Sequence, residues 1–339
     1  MGLIKVEDIA HVRFAAPDLE AMRAFLTDFG LDCFEHQGRL YGRGSDGRPF
    51  VHATEQGEAA FKAVGFRAAS VADLEKLAAA EGVSVEYAGT PGGGKVVRLT
   101  DPDGYLVEIL AGQANAAPVT ARAEPPRNNA TAHPRLRATV RLDPGPAQVL
   151  RIGHCVLKVR DFRTSEAWYK HRFGFLTSDE VEAAKDLPLG AFMRCNLGDR
   201  PADHHTLFLA QLPGKPEFLH AAFEVANLDD LMLGHAHLKS KGRTQTWGVG
   251  RHIMGSQVFD YWNDPWGHEL EHWTDGDLFT AADPPQKMPV SSLLAVQWGA
   301  PHPSQAGKRP PPPGLVAFIL ALNLRLKRLL RRAPKGQPA

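Results

Sequence analysis

Asp101-Pro102-Asp103-Gly104-Tyr105-Leu106-Val107-Glu108 and Asp264-Pro265-Trp266-Gly267-His268-Glu269-Leu270-Glu271 are two copies of one pattern, Asp-Pro-x-Gly-x-x-x-Glu. Each reads as a tight turn feeding a strand that ends on a carboxylate. Each closes a stretch that opens with a histidine in an apolar, strand-like run. That histidine is His11 in Ile9-Ala10-His11-Val12-Arg13-Phe14 and His154 in Ile152-Gly153-His154-Cys155-Val156-Leu157. Between opening and closing, Phe66-Arg67-Ala68-Ala69-Ser70-Val71-Ala72-Asp73-Leu74 aligns without a gap against Phe223-Glu224-Val225-Ala226-Asn227-Leu228-Asp229-Asp230-Leu231. Repetition on this scale describes a duplicated architecture.

Helical spacing recurs in both copies. Asp18 caps a run in which Leu19, Met22, Phe25, Leu26 and Phe29 share a face, and Val71 to Ala80 follows with Leu74 and Leu77 inward. Phe162 to Phe173 and Leu228 to Lys241 are their counterparts. Short apolar strand candidates lie between them. The expected fold is α+β, with two domains of paired βαβββ modules and four modules in all. The boundaries read as an N-terminal domain over 1–112, a linker over 113–148 rich in Ala, Pro, Arg and Asn, and a C-terminal domain over 149–280. A Pro-rich extension over 281–314 and a basic amphipathic tail over 315–339 complete the chain.

Length and composition agree. At 339 residues each half is long enough to bury its own core, and 43% hydrophobic with 23% charged residues is ordinary for a globular protein. A net charge of +1 gives no electrostatic case for nucleic acid. Cys33, Cys155 and Cys195 have no CxxC spacing, which suits a reducing cytoplasm better than a disulfide framework. No stretch reaches the ~20 apolar residues of a spanning helix. Gly92-Gly93-Gly94 lacks a following Lys-Ser/Thr and reads as a turn.

The halves differ in one chemical respect. The second carries His220 at the start of its middle strand, and Ala63-Val64-Gly65-Phe66 aligns with His220-Ala221-Ala222-Phe223, so the first half has Ala63 there. Two imidazoles and one carboxylate, His154, His220 and Glu271, form a three-ligand set that leaves coordination positions open, suited to Fe(II) or Mn(II). His11 and Glu108 alone are too few, so the first half is expected to hold no metal. Glu269 and His268 are expected to be solvated or supporting neighbours, and Trp262 and Trp266 core.

Gly250-Arg251-His252, then Asp260-Tyr261-Trp262-Asn263-Asp264-Pro265-Trp266-Gly267 and on to Glu271, resembles the signature of type I extradiol ring-cleavage dioxygenases of the vicinal oxygen chelate superfamily. The resemblance implies that His154, His220 and Glu271 hold Fe(II), with Mn(II) as the variant. It implies an acid/base role for His205 in His204-His205-Thr206-Leu207, with His204 of much less consequence, and makes His252 and Tyr261 the pair that hydrogen-bonds a bound catechol. Two departures stand out: Asp260 where the family is usually apolar, and Ile253-Met254-Gly255 where polar residues are common. The implied activity is extradiol (meta) cleavage of a catechol-type aromatic by O2 in a cytoplasmic homo-oligomer. The rivals are a metal-dependent isomerase or hydrolase of the same superfamily, and a non-catalytic protein that sequesters an aromatic ligand. The second explains poorly why three proton-handling side chains accompany the ligands.

The tail is separate. Pro310 to Pro313 interrupts regular structure, and Leu315, Phe318, Ile319, Leu322, Leu326, Leu329 and Leu330 then fall on one stripe. Arg325, Lys327, Arg328, Arg331, Arg332 and Lys335 are basic, and no acidic residue follows position 314. Truncation after Pro310 should leave catechol cleavage intact. It should change either the solution mass or sedimentation with anionic vesicles, since each basic residue at such a surface adds ~1 kcal/mol. Loss of activity with neither property altered would place the tail in the active-site fold.

Overall fold

The computed structural model describes residues 2–305 apart from 118, 120, 121, 123 and 124, so the predicted amphipathic tail lies outside the described residues. The first half contains β1 (Val6–Ala16), α1 (Leu19–Phe29), β2 (Asp32–His36), β3 (Arg39–Arg43) and β4 (His52–Gln56). A second unit of the same order follows: β5 (Ala60–Ala68), α2 (Val71–Glu81), β6 (Glu86–Tyr87), β7 (Lys95–Thr100) and β8 (Leu106–Ala111). Their strands form one eight-stranded sheet in the order β2-β3-β4-β1-β5-β8-β7-β6. The sheet is two βαβββ units joined where β1 and β5 pair antiparallel.

The second half repeats the plan. It holds β9 (Val149–Lys158), α3 (Phe162–Phe173), β10 (Leu176–Ala184), β11 (Leu187–Arg194), β12 (Ala202–Asp203) and β13 (Leu207–Ala210). Then come β14 (Glu217–Val225), α4 (Leu228–Ser240), β15 (Thr244–His252), β16 (Val258–Asn263) and β17 (Glu269–Thr274). After β18 (Leu278–Phe279), which pairs with β12, residues of the sequence-defined extension supply β19 (Gln286–Pro289) and β20 (Val296–Gly299). The sheet runs β19-β10-β11-β13-β9-β14-β17-β16-β15-β20. The segment between β19 and β20 therefore crosses from one edge of this sheet to the other.

Each helix starts at a capping side chain, of which the sequence alone picks out Asp18. Asp18, Ser70, Asp161 and Asn227 each accept a backbone N–H of the first turn through the side-chain oxygen. Helical faces from both halves meet in one continuous apolar core, including Phe25, Phe29, Phe66, Tyr169, Phe173 and Phe223. Phe29 meets the Phe223 ring edge-on at 5.6 Å. The first Asp-Pro-x-Gly turn joins this interface: Asp101 accepts from the Tyr169 hydroxyl at 3.1 Å and Asp103 from Ser165 at 2.8 Å. That copy of the motif works as a dock for α3.

Register makes the two halves comparable residue by residue. In the second, His154, Ala222, Glu271 and Tyr261 are consecutive partners across β9, β14, β17 and β16. In the first, His11, Gly65, Glu108 and Arg98 form the same row across β1, β5, β8 and β7. Ala63, opposite Leu106, matches His220, opposite Glu269. The parallel pairs β4–β1 and β13–β9 put Phe50 where the second half has His205.

Gly65 is required by what lies on it, since a Cβ there would overlap the His11 imidazole. Gly65→Ala should therefore lower stability by about 1–3 kcal/mol, the usual cost of overpacking, read from chemical denaturation. An unchanged midpoint would mean that His11 does not rest on this strand.

Candidate metal centre and active site

Alternate residues of a strand share a face, so His154 on β9 and Glu271 on β17 project to the same side of Ala222 between them. His220 lies two residues before Ala222 on β14 and joins them. One ligand atom from each of His154, His220 and Glu271 lies within 4.8 Å of the others. His154 Nε2 is 3.2 Å from Glu271 Oε2, and His220 Nε2 is 3.4 Å from the same oxygen. His154 and Glu271 are buried, and the His220 side chain keeps 17% exposure.

These donors fit a divalent cation. Glu271 Oε1 is buried and makes no hydrogen bond, with His252 Nε2 3.8 Å away, and an open buried acceptor beside two imidazoles suits a cation. Burial alone would raise the Glu271 carboxyl, but the hydrogen bond and charge of His154 hold it well below the usual range. Burial pushes His220 down to about 3, with His154 and His252 opposing a further positive charge and Glu271 favouring it. An ionised carboxylate and a neutral imidazole are the forms that metals bind.

Around the ligands stand the other residues picked out in the sequence. Tyr261 is opposite Glu271, and its ring meets that of His220 edge-on at 5.2 Å. Its hydroxyl is 3.0 Å from His252 Nε2, and His252 stacks on Phe259 at 4.1 Å. Burial, then the charge of Glu271, raises the Tyr261 phenol far above its ordinary value, so it stays a proton donor. His205 packs against His154 with ring centroids 3.9 Å apart. Burial, followed by His154 and His204, presses it well below the usual histidine range. Glu269 sits at the rim, raised to about 6 by burial and by Glu271. His268 is turned away, its Nδ1 2.7 Å from Asp264. Trp262 is buried in the core, and Trp266 packs against it.

The wall beside His205 is apolar. Phe192 lies 4.9 Å from the His205 ring and stacks on Phe208 at 3.9 Å. Val156, Val181 and Met254 complete a buried cluster, with Leu219, Met288 and Leu293 packed on it. Met254 thus faces inward from the segment where the sequence lacks the usual polar residues. The structure also brings in Asp179, which the sequence left unread, and His204, which the sequence reading discounts, and both extend behind His205. The doubled histidine was the only available cue, because Asp179 is 25 residues away and its contact depends on the pairing of β10.

The equivalent place in the first half is closed. His11 Nε2 is 2.9 Å from Glu108 Oε2. Arg98 Nε donates to Glu108 Oε1 at 3.0 Å, and an Arg13 nitrogen lies 3.3 Å from that oxygen. Arg98 stands at the Tyr261 position, Phe50 at the His205 position and Ala63 at the His220 position. The guanidinium groups supply the positive charge, and among the described residues the second half holds the one ligand cluster.

A model of the Glyoxalase/Bleomycin resistance protein/Dioxygenase superfamily matches residues 8–109 and again residues 151–272. Metapyrocatechase 2 of Cupriavidus necator is 27% identical over 303 residues, covering 87% of this chain and 89% of that protein. Biphenyl-2,3-diol 1,2-dioxygenase of Paraburkholderia xenovorans is 27% identical over 285 residues, covering 79% of this chain and 88% of its own length. Among solved structures, the Mn(II)-bound glyoxalase of Novosphingobium aromaticivorans superposes with a TM-score of 0.71 at 25% identity, over 92% of this chain and 98% of that one. The substrate complex of homoprotocatechuate 2,3-dioxygenase from Brevibacterium fuscum shares the fold, with a TM-score of 0.72 at 19% identity over 89% and 92% of the two chains. With both of its halves matched and the two sheets built alike, the chain belongs to the Glyoxalase/Bleomycin resistance protein/Dioxygenase superfamily.

Proposed function

We propose that this chain is an extradiol dioxygenase, opening a catechol ring at the bond beside the two hydroxyls and placing both atoms of O2 in the product. The reading is carried by one observation. A buried two-histidine, one-carboxylate cluster is ringed by three groups that can handle protons, in a chain similar to dioxygenases along most of its length. His154, His220 and Glu271 would hold Fe(II), or Mn(II). Such a metal, when bound, acidifies the catechol and couples it electronically to O2.

The side chains have separable tasks. His205 takes a proton from a catechol hydroxyl during binding and returns it to an oxygen as the ring opens. With the Nε2–H of His252 donated to the Tyr261 oxygen, the phenolic proton, which faces Glu271 in this structure, can turn to hydrogen-bond a catecholate oxygen. Phe192, Met254 and Val156 exclude water from that side and favour catechols whose ring substituent is apolar. The cytoplasmic assignment rests on the three free cysteines. Among the described residues no helix is long and apolar enough to cross a membrane. The oligomeric state is a matter for light scattering.

The deciding assay is anaerobic loading with Fe(II), then oxygen uptake and appearance of a yellow ring-opened product with substituted catechols. An isomerase of the glyoxalase kind would consume no O2, and a sequestering protein would bind the aromatic without turnover. Metal analysis should find one ion per chain, lost in His220→Ala and kept in His11→Ala. Two tightly bound ions would contradict the closed first-half site. Tyr261→Phe should lower kcat/KM ten- to a hundredfold at constant metal content, equivalent to the ~1.5–3 kcal/mol of a hydrogen bond to a charged group. Unchanged kinetics across several catechols would remove Tyr261 from the mechanism.

A further inference from the structure

Behind His205 runs a buried chain of polar side chains that metal binding does not use. His204 Nε2 is 2.9 Å from Asp179 Oδ2, and His204 Nδ1 is 3.1 Å from His205 Nδ1. All three residues are buried. A bulge in β10 at Ser178 sets the direction of Asp179, whose strand partners are Phe192 on β11 and Gln286 on β19. The His204 ring is boxed by Phe192 at 5.3 Å and Phe279 at 5.5 Å. The turn at Gly255, with φ of +76°, closes over it so tightly that an added Cβ would sit 2.9 Å from His204 Nδ1.

Hydrogen-bond valence then assigns the protons. An ionised carboxylate only accepts, so His204 must carry its proton on Nε2 to bond Asp179. A neutral His204 then offers a lone pair at Nδ1, and the 3.1 Å contact requires His205 to donate from Nδ1. His205 Nε2 is left without a proton, the form in which an imidazole acts as a base. The alternative, in which His204 donates from both nitrogens, would leave His205 protonated at Nε2, and the two arrangements are separated by ¹⁵N spectra of histidine.

We infer that Asp179 and His204 are positioning residues that hold His205 in its Nδ1–H tautomer, leaving Nε2 as the base that takes the catechol proton. The inference rests on the ring-cleavage reading and reverses the sequence expectation that His204 counts for little. It also explains why two adjacent histidines are present when one faces the ligands. The logic is that of any carboxylate-oriented histidine base, in which reversing the tautomer costs about 10⁴-fold in rate.

The test is Asp179→Asn. Asparagine that presents its NH2 to His204 Nε2 turns His204 into an Nδ1–H donor and His205 into the Nε2–H form, and Asp179→Leu, which has no acceptor at all, is made beside it because an asparagine carbonyl could replace the carboxylate as acceptor. In the Fe(II)-loaded full chain, kcat should fall roughly 10²–10⁴-fold, with KM for the catechol within threefold and metal content unchanged. Introduced into His205→Phe, the same substitution should cost less than a further twofold, because it acts only through His205. A loss that multiplies with that of His205→Phe, or an unchanged kcat in both Asp179→Asn and Asp179→Leu, would overturn the proposal. Independently, ¹⁵N spectra of histidine in the full chain loaded with diamagnetic Zn(II), assigned by difference against His205→Phe, should show His205 protonated at Nδ1 in the parent and at Nε2 in Asp179→Asn. A parent signal with His205 protonated at Nε2 would refute the tautomer directly. A parent chain that consumes no O2 would sink the ring-cleavage reading and still leave the spectra to decide the tautomer.

Discussion

A carboxylate taken out of water must be neutralised by its immediate surroundings, and Glu271 is fully buried. The arrangement of the second half follows from that demand. The antiparallel pairing of β9 with β14 and the parallel pairing of β14 with β17 place the carboxylate between two imidazoles with no intervening loop. All three ligands thus come from paired strands of one sheet, the rigid kind of support that a metal site needs. The sheet brings Tyr261 opposite Glu271, and His252 reaches the Tyr261 hydroxyl from the end of the neighbouring strand β15, where Trp247 is the residue paired with Tyr261. Because β19 and β20 finish the two edges of the sheet, the apolar side of the cleft is completed by the segment that joins them.

The first half faces the same demand and meets it differently. Glu108 is buried at the position of Glu271, where burial would raise its carboxyl. His11, Arg13 and Arg98 instead hold it down to about 2. A guanidinium at the tyrosine position makes an external cation unnecessary, and Ala63 removes the third donor. Replacing His205 by Phe50 removes the proton carrier as well. His11 lies 4.9 Å from the Phe50 ring and rests on Gly65, so the space is filled by protein. The retired half has another task. Its Asp-Pro-x-Gly turn receives Tyr169 and Ser165, and its helices complete the core of the active half.

The features legible in the sequence were those set by local spacing or by repetition. Four helices, the cap at Asp18 and the ligand strands followed from periodicity and from the gap-free match of the two middle segments. The match of His220 to Ala63 anticipated the register that the sheets display. The hairpin of β2 and β3 was not read. Asp32-Cys33-Phe34-Glu35-His36 alternates weakly on an exposed edge, and its turn uses Gln37 and Gly38 with positive φ and no familiar dipeptide. Strands β19 and β20 were missed because they carry few apolar residues and owe their conformation to the sheet edges they join. Arg98 and Asp179 are ordinary surface-type residues until strand pairing sets them against Glu108 and His204. Such long-range pairings leave little trace in one sequence.

Asp260 shows how a departure beside the site can be unrelated to it. Next to Tyr261 on β16, it projects to the opposite face of the sheet, as strand alternation requires. There it is fully buried, yet Trp262 Nε1 donates to it at 2.7 Å, Gln245 Nε2 at 2.9 Å, and His235 Nδ1 lies at 3.1 Å. A buried carboxylate with three partners is satisfied without help from the ligand side. The network ties β16 to α4 and β15, the elements that carry His235, Gln245 and His252. An apolar residue in its place would keep the strand by packing where this chain keeps it by hydrogen bonds. Either solution leaves Tyr261 facing the cleft, because the pleat, and not the chemistry of its neighbour, decides which way it points.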